Sequence, residues 1–192
     1  MDADPPAVVL GSTQPEGHID LEEARRQGIE VARRRSGGGA VLVERGHLLW
    51  IDLVIPAGDD LWDVDVTKAA AWVGELWAET LMAVKADGDV SVWKDRLRRT
   101  EWSERVCFAG VGPGEVLLDG RKVVGVSQRR TRGAALFQTA ALLEWRPGDL
   151  TRLLALDPAD RDRADRDLRS AATGIRRSAE QLLEAFSAAL PR

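Results

Sequence analysis

Residues 33–41 read RRRSGGGAV, and this stretch guides the interpretation of the rest of the chain. Its three successive glycines, Gly37, Gly38 and Gly39, remove every side chain from a length of backbone, so a ligand can lie directly against the N–H groups. The arginines beside them offer forked donors that fit a carboxylate or a phosphate. A flexible turn needs the same glycines, so composition alone leaves both interpretations open, and the arginines favour a binding loop.

Short apolar runs on both sides of this glycine loop predict β-strands. The runs cover residues 7–10, 29–32, 40–43 and 48–55. Asp20, with Glu23 three residues later, predicts the start of a short helix that ends at Gly28. Over residues 66–84 the apolar side chains recur at intervals of three and four, which is the pattern of an amphipathic helix. The glycine loop is therefore expected to lie between strands.

A second informative stretch covers residues 107–130 and reads CFAGVGPGEVLLDGRKVVGVSQRR. Three short apolar runs in and around it predict further strands. These are residues 106–109, 115–118 and 123–126. The Asp119-Gly120 pair separates the last two runs, and an Asp-Gly pair between apolar runs indicates a hairpin.

Cys107 and Lys122 are the candidate reactive side chains of this second stretch. If both lie at the edges of adjacent strands, antiparallel pairing brings the thiol and the ammonium together. A nearby cation favours the thiolate, which is the nucleophilic form of cysteine. A single cysteine among apolar residues is also typical of an inert core position, so the residues alone leave both roles open.

The remaining patterns predict one more strand and two helices. Residues 134–143 are expected to form the strand, and residues 179–190 the closing helix. Alternating aspartates and arginines over residues 157–169 predict a solvated helix face. Strands with interspersed helices indicate an α/β fold of the mixed α+β type, with a central mixed β-sheet flanked by helices.

Composition narrows the classes of function. A chain of 192 residues with 44% hydrophobic and 30% charged residues is typical of one soluble domain. No run approaches the roughly 18 apolar residues that span a membrane, and the first six residues lack the regions of a secretion signal, so we expect a cytoplasmic protein without membrane contact. A net charge of −4 argues against a nucleic-acid partner. One cysteine and two histidines exclude an intramolecular disulfide and give no reason to expect a metal site.

Taken together, the two stretches resemble the lipoate-protein ligase and octanoyltransferase family. Residues 33–41 match its Arg-Arg-x-Ser/Thr-Gly-Gly-Gly-Ala-Val signature, and residues 120–130 match its Gly-Arg-Lys-x-x-Gly-x-x-Gln-x-Arg signature. The resemblance covers roughly Val8 to Leu143. It implies the fold of biotin-protein ligases and class II synthetases, with residues 1–192 as a single catalytic domain that is short at its N-terminus and has no accessory domain.

The resemblance also implies roles for individual residues. Lys122 corresponds to the family's essential lysine, placed at the acyl carbonyl, where its charge stabilises the oxyanion formed during transfer. Cys107 is the second expected catalytic residue. The expected substrate-binding residues are Arg34, Ser36, Gly37, Gly38, Gly39, Ser127 and Arg129.

Two branches of the family remain open. Octanoyltransferases of one branch carry the acyl group on a cysteine, in a Cys-Phe pair fifteen residues before the lysine, and Cys107-Phe108 keeps that spacing, with Glu115 eight residues after the cysteine. This preferred transferase interpretation needs no cofactor and implies acyl carrier protein as a possible donor. The glycine-only loop and the sequence of residues 46–48 resemble the ligase branch, which uses ATP and Mg.

In both branches the acyl acceptor is a lysine on the lipoyl domains of 2-oxoacid dehydrogenases or on the glycine-cleavage H protein. The acyl group is octanoyl or lipoyl. One departure concerns the His-Asp pair that the family usually has after Ala-Val-x, because this chain has Val43-Glu44 at that place. A non-catalytic homologue that binds an acyl group or a partner is therefore a third interpretation.

Overall fold

A computed structural model describes residues 5–191, and residues 1–4, which belong to the N-terminal stretch considered above, lie outside the described residues. The strands are β1 (Ala7–Leu10), β2 (Glu30–Arg33), β3 (Val41–Val43), β4 (Leu48–Pro56), β5 (Val90–Val92), β6 (Val116–Leu118), β7 (Arg121–Arg130) and β8 (Ala134–Leu142). The α-helices are α1 (Leu21–Arg26), α2 (Val66–Ala83), α3 (Pro147–Thr151), α4 (Pro158–Ala171) and α5 (Ala179–Ala189).

The mixed α/β fold class is confirmed, and the strands are divided between two sheets. The smaller sheet has the order β2-β1-β3, with β1 parallel to β2 and antiparallel to β3. The larger sheet has the order β4-β8-β7-β6-β5 and is antiparallel throughout. The predicted mixed pairing is thus found in the smaller sheet only.

Two helices pack on the larger sheet and bury its apolar face. Helix α2 begins at the Asp65 cap, whose carboxylate accepts from the Thr67 N–H at 2.8 Å, and it confirms the predicted amphipathic helix. Trp77 on α2 packs against Phe186 on α5, with ring centroids 4.7 Å apart. Both side chains are fully buried together with the inward-facing residues of β6, β7 and β8. This packing makes β7 a fixed support for the side chains on its other face.

The predicted Asp119-Gly120 hairpin is confirmed and joins β6 to β7. Asp119 and Gly120 both have positive φ, at 50° and 73°, which is the requirement of the turn type that fits the twist of a two-residue hairpin. Lys122 is consequently the second residue of β7, and it pairs in register with Leu117 on β6.

The strand predicted at residues 106–109 is wrong. Cys107–Ala109 instead forms one turn of 3₁₀-helix, with the Ala109 N–H donating to the Val106 carbonyl at 3.2 Å. The apolar side chains of this run are buried because Phe108 packs with Val41 and Ala172 in a cluster between the two sheets. Cys107 and Lys122 are therefore not on adjacent strands.

The other predicted elements are confirmed with small changes at their ends. Helix α4 carries the alternating aspartates and arginines, and Arg169 Nη2 lies 2.6 Å from Asp165 on its exposed face. Within residues 5–191, none of the helices combines the length and the apolar character needed to cross a membrane.

Candidate active site

A cavity of about 650 Å³ lies between the glycine loop and β7. Gly37, Gly38 and Gly39 form part of its wall, and Cys107, Lys122 and Ser127 come to it from the second stretch. The other lining residues are Thr13, Gln14, Pro15, His18, Leu97, Arg99, Ser103, Glu104, Gly110, Gly112, Pro113, Glu115, Val126 and Gln128. Two stretches that are remote in the sequence thus meet at one cavity.

The glycine loop packs backbone against backbone on the segment that carries Cys107. The Ala40 N–H donates to the Arg105 carbonyl at 2.8 Å, and the Cys107 N–H donates to the Ala40 carbonyl at 3.0 Å. A Cβ atom on Gly39 would lie only 2.6 Å from the Val106 backbone, so no other residue fits there without a shift of the main chain. The Cys107 Sγ faces the loop, 3.8 Å from the position that a Cβ on Gly38 would occupy.

Arg34 supports the glycine loop from behind and is not among the residues that line the cavity. Its side chain is buried, with 6% of the residue exposed. The guanidinium donates to the carbonyl of Val9 at 3.1 Å and to those of Gly37 and Gly39 at 2.7 and 2.9 Å. The forked donors expected to bind a ligand therefore bind loop carbonyls in this structure.

Ser36 and Ser127 connect the glycine loop to the larger sheet. Their hydroxyl oxygens lie 2.7 Å apart, and Ser36 Oγ also donates to Gln138 Oε1 at 2.9 Å. The Ser36 N–H points to the same amide oxygen at 3.3 Å. Ser127 lines the cavity, whereas Ser36 is buried beside it. Gln138, on β8, was not found from the sequence because no motif marks it.

Lys122 and Glu115 form a buried ion pair in the wall of the cavity. The Nζ atom lies 2.8 Å from Glu115 Oε1, and the two residues are only 3% and 6% exposed. The ammonium also donates to the carbonyls of Cys107 at 2.8 Å and Gly110 at 3.1 Å. The carboxylate accepts from the N–H groups of Gly112 at 2.7 Å and Val126 at 3.2 Å. Both charges are thus compensated by hydrogen bonds as well as by each other.

Gly125 lies beside this ion pair. A Cβ at position 125 would lie 3.4 Å from Lys122 Cε and 3.7 Å from Glu115 Oε1. The ring of Phe108 closes the remaining side, with its centroid 5.0 Å from the Lys122 Nζ. The distances from a Cβ at position 125 are ordinary van der Waals contacts, so the ion pair sets no steric requirement for the glycine of the Gly-Arg-Lys-x-x-Gly spacing.

The sequence predicts that paired strands bring the thiol and the ammonium together, and the structure corrects which elements carry them. Both Cys107 and Lys122 reach the cavity, but they do so through a 3₁₀ turn and a strand rather than through two paired strands. The ammonium is bonded to the Cys107 carbonyl, and within residues 5–191 no hydrogen bond joins it to Sγ. The positive charge lies against the backbone of the cysteine residue.

Gln14 and His18 belong to the cavity wall and were missed by the sequence interpretation. Gln14 Nε2 donates to the Arg105 carbonyl at 3.1 Å and lies 3.5 Å from His18 Nδ1. Burial, assisted by the Arg105 guanidinium, lowers the pKa of His18 below its usual value of 6.5. This shift favours the neutral form of the imidazole. Gln14 and His18 lie in an ordinary turn sequence, and no motif in it indicates a functional site.

Two further expectations concern residues outside the cavity wall. Arg129 is exposed on β7 and does not line the cavity. Val43, at the place of the family's usual histidine, is half-buried in β3, and Glu44 Oε2 lies 3.0 Å from His47 Nδ1 on the following turn. Among residues 5–191 no group of three or more His, Cys, Asp or Glu side chains is placed to bind a metal ion.

The three hydrogen bonds of Arg34 predict that even a lysine at this position lowers the stability of the fold. Arg34→Lys is expected to lower the free energy of unfolding by about 1–3 kcal/mol, because an ammonium cannot reach all three carbonyls that the fork serves. Urea denaturation of this variant and of Arg35→Lys, whose side chain is exposed, measures the difference. Equal stabilities of the two variants would contradict the supporting role of Arg34.

The buried pair predicts strong coupling between its two members. Lys122→Met is expected to lower the free energy of unfolding by about 3–5 kcal/mol, because it leaves the Glu115 charge buried without its partner. The double variant Lys122→Met with Glu115→Gln removes both charges, so it should lose less than the sum of the single variants by about 1–3 kcal/mol.

The exposed pair Lys94–Glu75, whose charged atoms are 3.7 Å apart, provides the control for this cycle. Lys94→Met is expected to change stability by no more than about 1 kcal/mol. Strict additivity of the Lys122 and Glu115 losses in urea denaturation would show that the pair is not coupled.

Comparison with solved structures identifies the fold. A bi-partite lipoate protein ligase from Thermoplasma acidophilum, studied with its E2 lipoyl domain, superimposes with a TM-score of 0.76. The match covers 96% of this chain and 66% of that chain, at 21% sequence identity. At this identity the similarity shows the fold alone.

Comparison with curated sequences gives related proteins from bacteria. The chain is 29% identical to octanoyltransferase LipM of Kyrpidia tusciae over an alignment of 202 positions, gaps included. The alignment covers 97% of this chain and 73% of that protein. It is 30% identical to LipM of Moorella thermoacetica over 164 residues, 79% of this chain and 55% of that protein. The chain thus spans about half the length of several curated relatives that it matches. Residues 2–190 match the family described as the lipoyl protein ligase A/B catalytic domain, and the chain therefore belongs to that family.

Proposed function

We propose that this protein transfers an octanoyl or lipoyl group to a lysine of an acceptor protein, through an acyl thioester on Cys107. The single observation that supports the proposal most is the shared cavity, in which the only cysteine of the chain and a buried lysine face a wall of three glycines. A cavity of about 650 Å³ has room for an eight-carbon chain.

In the first half of the proposed reaction, Cys107 Sγ attacks the carbonyl carbon of an acyl thioester. A new C–S bond forms to Cys107, the donor's C–S bond breaks, and the cysteine proton leaves with the donor thiol. The backbone N–H groups of Gly37, Gly38 and Gly39 make no hydrogen bond within the described part of the chain, so they are available to the carbonyl oxygen as it becomes negative.

In the second half, the neutral amine of the acceptor lysine attacks the thioester carbonyl. An amide bond forms, the bond to Cys107 Sγ breaks, and the proton lost by the amine restores the thiol. The Lys122 ammonium uses its three donors on Glu115 and on the carbonyls of Cys107 and Gly110, so we propose that one of these carbonyls is exchanged for the oxyanion during transfer. Neither half-reaction requires a cofactor.

The relatives support this choice of substrates. Octanoyltransferase LipM is the name of the curated relatives, and the archaeal lipoate ligase with the same fold was studied with an E2 lipoyl domain. We therefore propose lipoyl domains of 2-oxoacid dehydrogenases, or the glycine-cleavage H protein, as acceptors. Octanoyl acyl carrier protein is the proposed donor.

One observation favours an ATP-dependent lipoate ligase as the second candidate. The loop contains only glycines at positions 37–39, as in the ligase signature, and its N–H groups could receive the phosphate of an acyl-adenylate as well as a carbonyl oxygen. ATP and Mg would then be needed. In that case Cys107 would take no part in the chemistry.

Intact-mass spectrometry of the whole protein tests the thioester directly. After incubation with octanoyl acyl carrier protein, the protein should gain one octanoyl group that hydroxylamine removes. Because the chain contains one cysteine, a hydroxylamine-labile adduct identifies Cys107. Cys107→Ala should show no adduct and no transfer to an apo lipoyl domain.

The Lys122→Met/Glu115→Gln variant separates chemistry from folding, because it removes the charge without leaving a buried unpaired partner. Its loading rate should fall by about 100-fold or more if the Lys122 charge stabilises the transition state. Pyrophosphate release from ATP and lipoate that persists in Cys107→Ala would instead establish the ligase. Absence of both activities would favour a non-catalytic acyl-binding protein.

A further inference from the structure

A strongly basic segment borders the opening of the cavity. Residues 94–99, named here the rim loop, read KDRLRR and contain four basic residues and one acidic residue. The whole chain has a net charge of −4, so the positive charge of this segment is opposite in sign to the charge of the protein as a whole. The rim loop contains no helix and no regular strand.

The rim loop lies directly over the backbone that surrounds the buried ion pair. Arg98 and Val111 exchange two backbone hydrogen bonds, at 2.8 and 3.1 Å. A Cβ on Gly112 would lie 3.5 Å from the Leu97 side chain. Because the Gly110 carbonyl and the Gly112 N–H are bonded to Lys122 and Glu115, the rim loop is one layer away from the site.

The charges of the rim loop are available to a partner. Arg99 lines the cavity and lies 3.7 Å from Glu104, but the two side chains are 67% and 77% exposed. Lys94 has a similarly exposed neighbour in Glu75, also at 3.7 Å. Exposed pairs of this kind contribute little free energy, so a binding partner can replace them at small cost.

An exposed apolar side chain lies among these charges. Leu97 is 53% exposed and also lines the cavity. Leu97 is flanked in the sequence by Arg96 and Arg98 and lines the cavity, so it adds one apolar contact to the charges that a partner would meet there.

We propose that the rim loop docks an acidic carrier protein that presents the acyl thioester on a long, flexible arm. This inference rests on the proposed function, because it is the loading of Cys107 that needs a thioester donor. An acidic carrier is repelled at long range by a chain of net charge −4, and the rim loop supplies the local positive field that steers the carrier to the cavity. Leu97 then contacts the carrier beside the entering arm.

The test compares two donors of the same acyl group. One is octanoyl acyl carrier protein, and the other is the octanoyl thioester of free pantetheine, which has the arm without the protein. The variant is Lys94→Glu with Arg96→Glu, since neither side chain lines the cavity. The control is Lys68→Glu with Arg166→Glu, which changes the net charge equally at exposed positions on α2 and α4.

The rim-loop variant should load from octanoyl acyl carrier protein about 10-fold or more slowly at low salt, because it loses electrostatic steering. The difference should shrink at high salt, where exposed charges are screened. Loading from octanoyl-pantetheine, and both rates of the control variant, should stay unchanged.

Equal slowing by the rim-loop and control variants would overturn the docking proposal. It would also be overturned if the rim-loop variant loads normally but slows transfer to the apo lipoyl domain, because the surface would then belong to the acceptor. Failure of both donors to load the unaltered protein at Cys107 would be a separate result, which refutes the proposed function itself.

Discussion

The Lys122–Glu115 ion pair is the constraint on which the rest of the site depends. Two opposite charges with almost no solvent exposure are tolerated only if every hydrogen-bonding position around them is filled. The backbone from Cys107 to Gly112 supplies two carbonyls and one N–H for this purpose, and the Val126 N–H completes the set. The turn that carries the cysteine is thus wrapped around the lysine, and the position of the thiol follows from the burial of the charge.

The glycine loop is the second half of this arrangement, and it depends on close contact between backbones. Gly39 lies against Val106 with no space for a side chain, and the hydrogen bonds at Ala40 attach the loop to the same segment that ends in Cys107. Arg34 fixes the loop by donating to the Gly37 and Gly39 carbonyls, and the loop lines the cavity. Cys107, Lys122 and the glycine loop are therefore positioned by one continuous set of backbone contacts.

Sequence patterns predicted the parts of this structure that local chemistry decides. The Asp119-Gly120 turn and helix α2 follow from dihedral preference and apolar periodicity, and both are confirmed. The apolar run at Cys107 predicts a strand and forms a 3₁₀ turn, because a short buried apolar run has the same pattern in both cases. Arg34 was expected to face a ligand, and its bonds to loop carbonyls depend on tertiary contacts that no spacing reveals. Gln14 and Gln138 are brought to the site by the tertiary fold, and no local sequence pattern indicates that they lie there.

A crystal structure of the octanoyl-loaded protein tests the central claim most directly. The account expects the acyl group on Cys107 Sγ, its carbonyl oxygen within hydrogen-bond distance of the Gly37–Gly39 N–H groups or the Lys122 ammonium, and its chain inside the cavity of about 650 Å³. An acyl chain outside this cavity, or a carbonyl oxygen directed away from both groups of donors, would contradict the account.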